Sequence, residues 1–128
     1  MPRTAVNISN APTPAGPYSH AVVAGGLVFT AGFGPQDPTT GEVVPGGVYE
    51  QTQQVLRSVA AVLAESGATL DDVVKVTAHL EHLDEDFAEY NRAYAEFFTA
   101  PYPVRTTVGS RLANILVEID VVAQLPTP

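Results

Sequence analysis

Glu118 and Asp120 stand two residues apart in the run Leu-Val-Glu-Ile-Asp-Val-Val. On a strand, that spacing puts both carboxylates on one face, roughly 6–7 Å apart. Paired acids in so apolar a segment are either a solvated edge or a cleft, in which burial raises one pKa and makes a general base. The spacing alone does not choose. Arg105 follows Pro101-Tyr102-Pro103 and opens another extended run. A guanidinium there could clamp a small carboxylate through two parallel hydrogen bonds, or pair with one of the chain's many acids.

Other chemistries fit less well. The chain has no cysteine, which removes disulfides, thiol nucleophiles and iron–sulfur ligation. His79 and His82 are three apart on a strand end, where the rings diverge, and no third ligand follows, so no metal site is expected. Gly25-Gly26 and Gly46-Gly47 lack the spacing of a phosphate loop, and Ser19-His20 has no nucleophile elbow.

These side chains must be carried by a small scaffold. The 128 residues suit a single domain, 1–128, with 45% hydrophobic and 16% charged residues. Tyr18–Ala24 and Leu27–Ala31 read as strands around a Gly25-Gly26 turn, with a short extended stretch at Glu42–Pro45. Val48 to Ser66 has helical spacing and stops at Gly67. In Val73–Leu80, Val74, Val76, Ala78 and Leu80 are expected on one face, with Val73, Lys75, Thr77 and His79 on the other.

A second helix is expected over Glu85 to Phe98. Its stripe of Phe87, Tyr90, Tyr94, Phe97 and Phe98 reads as core packing. Arg105–Val108 and Ile115–Ala123 complete the pattern, the latter with Ile115, Val117, Ile119, Val121 and Ala123 on one face. The order β β (β) α β α β β predicts an α+β layer pair with both helices on one face of a sheet. The other face, with Val73, Leu116 and Val122 among polar groups, is too apolar to stay bare, so a symmetric oligomer is expected.

Charge narrows the partners. Six Lys+Arg against 14 Asp+Glu give a formal net charge of −8, which disfavours nucleic acid. No apolar run approaches the ~20 residues of a membrane helix, and residues 1–10 lack a signal-peptide pattern. The expectation is a soluble, cytoplasmic protein with no membrane partner.

An ordered set of motifs resembles the Rid (YjgF) family: Gly16-Pro17-Tyr18-Ser19, Thr30-Ala31-Gly32, Asp37-Pro38 with Gly41, and Val74-Lys75-Val76-Thr77. Phe87 with Asn91 and Tyr94, Pro103-Val104-Arg105 and Val117-Glu118-Ile119-Asp120 continue it, over residues 12 to 125. The resemblance implies a chorismate-mutase-like α+β fold, one mixed sheet with two helices on one face, and a homotrimer with a central barrel and clefts between subunits. It implies a cofactor-independent deaminase hydrolysing 2-imino acids or enamines, such as 2-iminopropanoate and 2-iminobutanoate, to 2-oxo acids and ammonia.

By position, Arg105 resembles the family's substrate-carboxylate clamp and Glu118 the acid that orients water. Tyr18, Gly32 and Asn91 resemble the residues completing the pocket, and Asp120 is expected to support rather than react. There are three departures. Phe33 stands where many members have Gln, which implies a more apolar pocket mouth. Thr107 stands where many have Cys, and the segment 108–116 is about two residues short and lacks the usual Leu-Pro. Phe33 and Thr107 thus join the expected substrate-binding set, and the departures bear on substrate identity. An aminoacrylate or aminomuconate-type enamine, and non-catalytic binding of a small regulatory ligand, are the alternatives. Ribonuclease activity, attached to some relatives, suits so acidic a chain poorly.

Overall fold

Alternation along the two longest strands decides how the sheet faces. The structure, a computed structural model, describes residues 3–126. In β6 (Val117–Gln124), Val117, Ile119, Val121 and Ala123 are buried, whereas Glu118, Asp120 and Val122 turn to the other side, as the sequence predicts. Beside it runs β4 (Val73–Leu80), whose Val76, Ala78 and Leu80 join the same core.

The face expected for β4 fails at its first two residues. A register shift between Val73 and Lys75 puts Val73 into the core at 6% exposure and leaves Val74 45% exposed. One extra residue in a strand inverts the side-chain phase on either side of it.

Four more strands extend the sheet: β1 (Thr4–Val6), β2 (Ala21–Ala24), β3 (Leu27–Thr30) and β5 (Val104–Gly109). The spatial order is β1-β2-β3-β6-β4-β5. Only β4 and β5 pair in parallel; the other pairs are antiparallel. Between β2 and β3, Gly25 and Gly26 have φ of 58° and 78°, the left-handed pair a two-residue hairpin turn needs. The extra strand lies at the N-terminus, not at Glu42–Pro45, which makes only a bridge from Val43 to Gln36. Three residues without alternation give β1 no sequence signature.

Helix α1 (Val48–Glu65) ends ahead of Gly67, and the Glu50 carboxylate accepts the Gly47 N–H at 2.9 Å across its first turn. Its apolar stripe, with Val55, Leu56, Val59, Val62 and Leu63 fully buried, packs on β6 and on α2 (Leu83–Tyr94). Each such side chain contributes about 1.5–3 kcal/mol of burial free energy. The parallel β4–β5 pair requires a crossover, and α2 supplies it. That helix starts and ends earlier than expected, because the chain leaves helical geometry after Tyr94, whose carbonyl accepts the Phe97 and Phe98 N–H groups.

Both helices cover one face of the mixed sheet. The opposite face leaves Phe29, Val74, Val104 and Val108 exposed, with Lys75, His79, Glu118 and Asp120 among them. No helix among the described residues is long and apolar enough to cross a membrane.

Candidate functional site

Arg105 lies on the edge strand β5, paired in register with Val76, and Thr107 is paired with Ala78. Those partners are buried, so Arg105 and Thr107 project to the helix-covered side, where α2 overhangs the sheet edge. The guanidinium carbon lies 4.7 Å from the ring centroid of Tyr94, 5.2 Å from Tyr90 and 5.9 Å from Phe87. Each such contact contributes about 0.5–1 kcal/mol where exposed, and all orient the fork without neutralising it. Among the described residues no carboxylate is within ion-pairing distance of Arg105; the ion pair present is Arg92–Glu89 at 2.8 Å. The aromatic stripe expected to be core therefore has two roles. Tyr90, Tyr94 and Phe98 are buried, but Phe87 is 39% exposed and serves the arginine.

Hydroxyl groups surround this cation. Tyr90 Oη and Thr107 Oγ1 are hydrogen-bonded at 3.2 Å. Burial pushes the Tyr90 phenol up, with Thr107 and Arg105 pulling the other way. The Tyr94 phenol is pushed up to about 12, chiefly by burial, and its hydroxyl is buried without a partner. Asn91 is half-buried on α2, between these two tyrosines in sequence.

Glu118 belongs to a different place. It pairs with His79 on the face that carries no helix, and a Cβ on Gly32 would come within 2.8 Å of its Oε2. An open groove of about 750 Å³ lies over this carboxylate, with Tyr18, Gly32, Pro38, Gly41 and Arg111 among its walls. The Asp37 carboxylate accepts the Thr39 and Thr40 N–H groups at 2.7 and 3.2 Å, shaping the turn on one side. On another side, His20 ties down the N-terminal segment. Its Nδ1 accepts the Ile8 N–H at 3.0 Å, which leaves Nε2 to donate to the Pro12 carbonyl at 2.7 Å.

Tyr18 is 49% exposed at this groove, and its hydroxyl accepts the Ala15 N–H at 3.0 Å. Phe33 also borders it, yet only 4% of Phe33 is exposed and its ring packs 5.6 Å from that of His20. Phe33 thus meets the groove with a small part of its side chain, and the rest packs into the core. Asp120 shares Glu118's face opposite Thr77; burial raises its pKa, partly opposed by the charges of His79 and Lys75. The segment after β5 is held by Leu112 N–H to Glu81 at 2.7 Å and Leu116 N–H to Gln51 at 2.8 Å, and it presents Arg111 to the groove.

One chain therefore brings the expected residues together as two sets. Arg105 and Thr107 belong to the helix-covered side; Tyr18, Gly32 and Glu118 belong to the groove on the other. Sequence reasoning missed Tyr90, Tyr94, Arg111 and His20. A signal existed for the tyrosines, since hydroxyl-bearing rings in an apolar stripe demand polar partners. For His20 and Arg111, which act through distant segments, there was none.

The chain is an α+β layer pair with an arginine–aromatic cluster at one sheet edge and a carboxylate-lined groove on the opposite face. The chain belongs to the Rid (YjgF) family: residues 8–125 match the family described as Endoribonuclease L-PSP. It is 44% identical over 125 residues to the RutC family protein PYRAB12510 of Pyrococcus abyssi, covering 96% of this chain and 98% of that one. It is 41% identical over 122 residues to the chloroplastic Reactive Intermediate Deaminase A of Arabidopsis thaliana, covering 94% of this chain and 65% of that protein. The crystal structure of the Rid-family protein YyfA from Yersinia pestis superposes with a TM-score of 0.91 at 34% identity, covering 97% of this chain and 100% of that one.

Proposed function

We propose that the protein hydrolyses 2-imino acids, or their enamine tautomers, to 2-oxo acids and ammonia without a cofactor, as a homotrimer with sites between subunits. The observation that carries this reading is Arg105, held over three aromatic rings with no carboxylate partner among the described residues. A planar fork so placed fits a small carboxylate. The kinship with a Reactive Intermediate Deaminase supports the reaction class.

The imine carbon is already electrophilic, so the protein has to hold the substrate, place a water and manage protons. Arg105 binds the substrate carboxylate. Glu118 takes a proton as water adds to the carbon of the protonated imine, giving a tetrahedral carbinolamine. Glu118 returns that proton to the amine nitrogen and then takes the hydroxyl proton as the C–N bond breaks, so that ammonia and the 2-oxo acid leave. Because Arg105 and Glu118 occupy opposite faces of their own sheet, the reaction requires Arg105 of one subunit to meet Glu118 of another. Burial of the exposed apolar residues on the open face supports such an assembly. Its three copies would enclose the barrel.

Ribonuclease chemistry has less support from the charges. Six Lys+Arg against 14 Asp+Glu, with Arg92 paired to Glu89, make a poor track for a phosphate backbone. The test generates an imino acid with an amino-acid oxidase, traps it with semicarbazide and follows loss of the trapped product. Wild type is expected to accelerate that loss, with Arg105→Ala and Glu118→Gln inactive. No acceleration by wild type, or equal acceleration by Arg105→Ala, overturns the proposal.

A further inference from the structure

Tyr90 is fully buried; its hydroxyl lies 3.2 Å from Thr107 Oγ1, and the guanidinium carbon of Arg105 lies 5.2 Å from the centroid of its ring. Arginine offers donors only, whereas a threonine hydroxyl both donates and accepts. If Thr107 donated to Tyr90, the phenol hydrogen would be buried with no acceptor, which is costly. The lower-cost arrangement has Tyr90 donating to Thr107. Thr107 Oγ1, having accepted, must then aim its hydrogen elsewhere. It is half-buried on the same side of β5 as Arg105, two residues on.

We propose that Tyr90 is a positioning residue: it fixes the Thr107 hydroxyl so that the threonine hydrogen, alongside the Arg105 fork, meets the carboxylate of the bound imino acid. This rests on the deaminase reading above. The donors form a chain, phenol to threonine to ligand, in which each bond polarises the next. A site of donors alone selects an acceptor-only group, which is what a carboxylate is.

The product 2-oxo acid carries the same carboxylate, so its binding reads the contact without turnover. Affinity for 2-oxobutanoate is measured by calorimetry, and kcat and KM by the imine assay, for wild type, Tyr90→Phe, Thr107→Val, Thr107→Ser and the Tyr90→Phe/Thr107→Val double variant. Tyr90→Phe and Thr107→Val are each expected to weaken binding and raise KM about fivefold. Thr107→Ser should behave like wild type, and the double variant should be no worse than Thr107→Val alone.

Unchanged affinity in Tyr90→Phe or in Thr107→Val overturns the inference, as does a double variant that loses the product of the two effects. If Tyr90→Phe fails to fold, the contrast between Thr107→Val and Thr107→Ser decides: equal affinities overturn the inference. Tight, Tyr90-dependent binding without imine hydrolysis overturns the deaminase reading and leaves the hydroxyl chain standing. No 2-oxobutanoate binding by wild type overturns the inference, while imine hydrolysis in the same preparation would keep the deaminase reading.

Discussion

Gly32 and Glu118 are in contact: a Cβ on Gly32 would lie 2.8 Å from Glu118 Oε2 and 2.9 Å from its Cδ. Gly32 follows β3, and Phe33 exchanges backbone hydrogen bonds of 2.8 and 3.1 Å with Ile119, so the backbone there has little freedom to retreat. The carboxylate must give way to any side chain. Gly32→Ala is therefore expected to fold, with Tm within about 5 °C of wild type, because the displaced atoms are the mobile end of a glutamate. Imine hydrolysis should fall about 100-fold, since a general base moved by an ångström no longer meets its water. Full activity in Gly32→Ala would mean that the carboxylate position is immaterial.

Tyr94 leads to a prediction of opposite sign. Its hydroxyl is buried without a partner, and such a group destabilises by about 1–3 kcal/mol. Tyr94→Phe keeps the ring that stacks on Phe98 at 4.5 Å and faces Arg105 at 4.7 Å. The variant should therefore raise Tm by a few degrees, read by calorimetry without ligand. A lowered Tm would show that the hydroxyl has a partner in the assembled protein.

Much of this was legible in the residues. The alternation of Val117 through Ala123 placed Glu118 and Asp120 on one face, and the helical spacing after Val48 placed α1. What was not legible lies where local pattern and tertiary context part. The bulge at Val73 inverts a phase that periodicity assumes constant. The three residues of β1 are a strand only because β2 pairs with them. The division of Arg105 and Glu118 between two faces depends on register across three strands, which no single stretch encodes. The same register, once seen, turns a list of site residues into a statement about subunits.

The pH dependence of stability should show Asp120. Burial lifts its folded pKa above the ordinary 3.8, against the opposing charges of His79 and Lys75. The folded chain then binds this proton more tightly than the unfolded one, so stability from this group is gained as pH falls through the raised value, and the ionised form is a burden at pH 7. Asp120→Asn removes that burden. Its Tm should exceed that of wild type at pH 7, with the gap closing as pH drops to about 4. A gap independent of pH would assign the effect to packing instead of ionisation.

The strictest expectation concerns the pairing of chains. Arg105 projects with buried Val76 towards the helices, and Glu118 lies with His79 on the bare face. A subunit cannot join them, so each working site should take one residue from each of two neighbours. Arg105→Gln and Glu118→Gln proteins are each expected to be inactive. Denatured together and refolded as a mixture, they form hybrids in which an intact Glu118 from the first type meets an intact Arg105 from the second. Random assembly makes about a quarter of the sites whole, in any closed ring with one site per boundary. Imine hydrolysis should return to that fraction of the wild-type rate after mixed refolding, and stay at background when each variant is refolded alone. Recovery absent from a mixture whose hybrids are visible by native mass spectrometry would place both residues of a working site in one chain. That outcome would contradict the two-face arrangement from which the site was built.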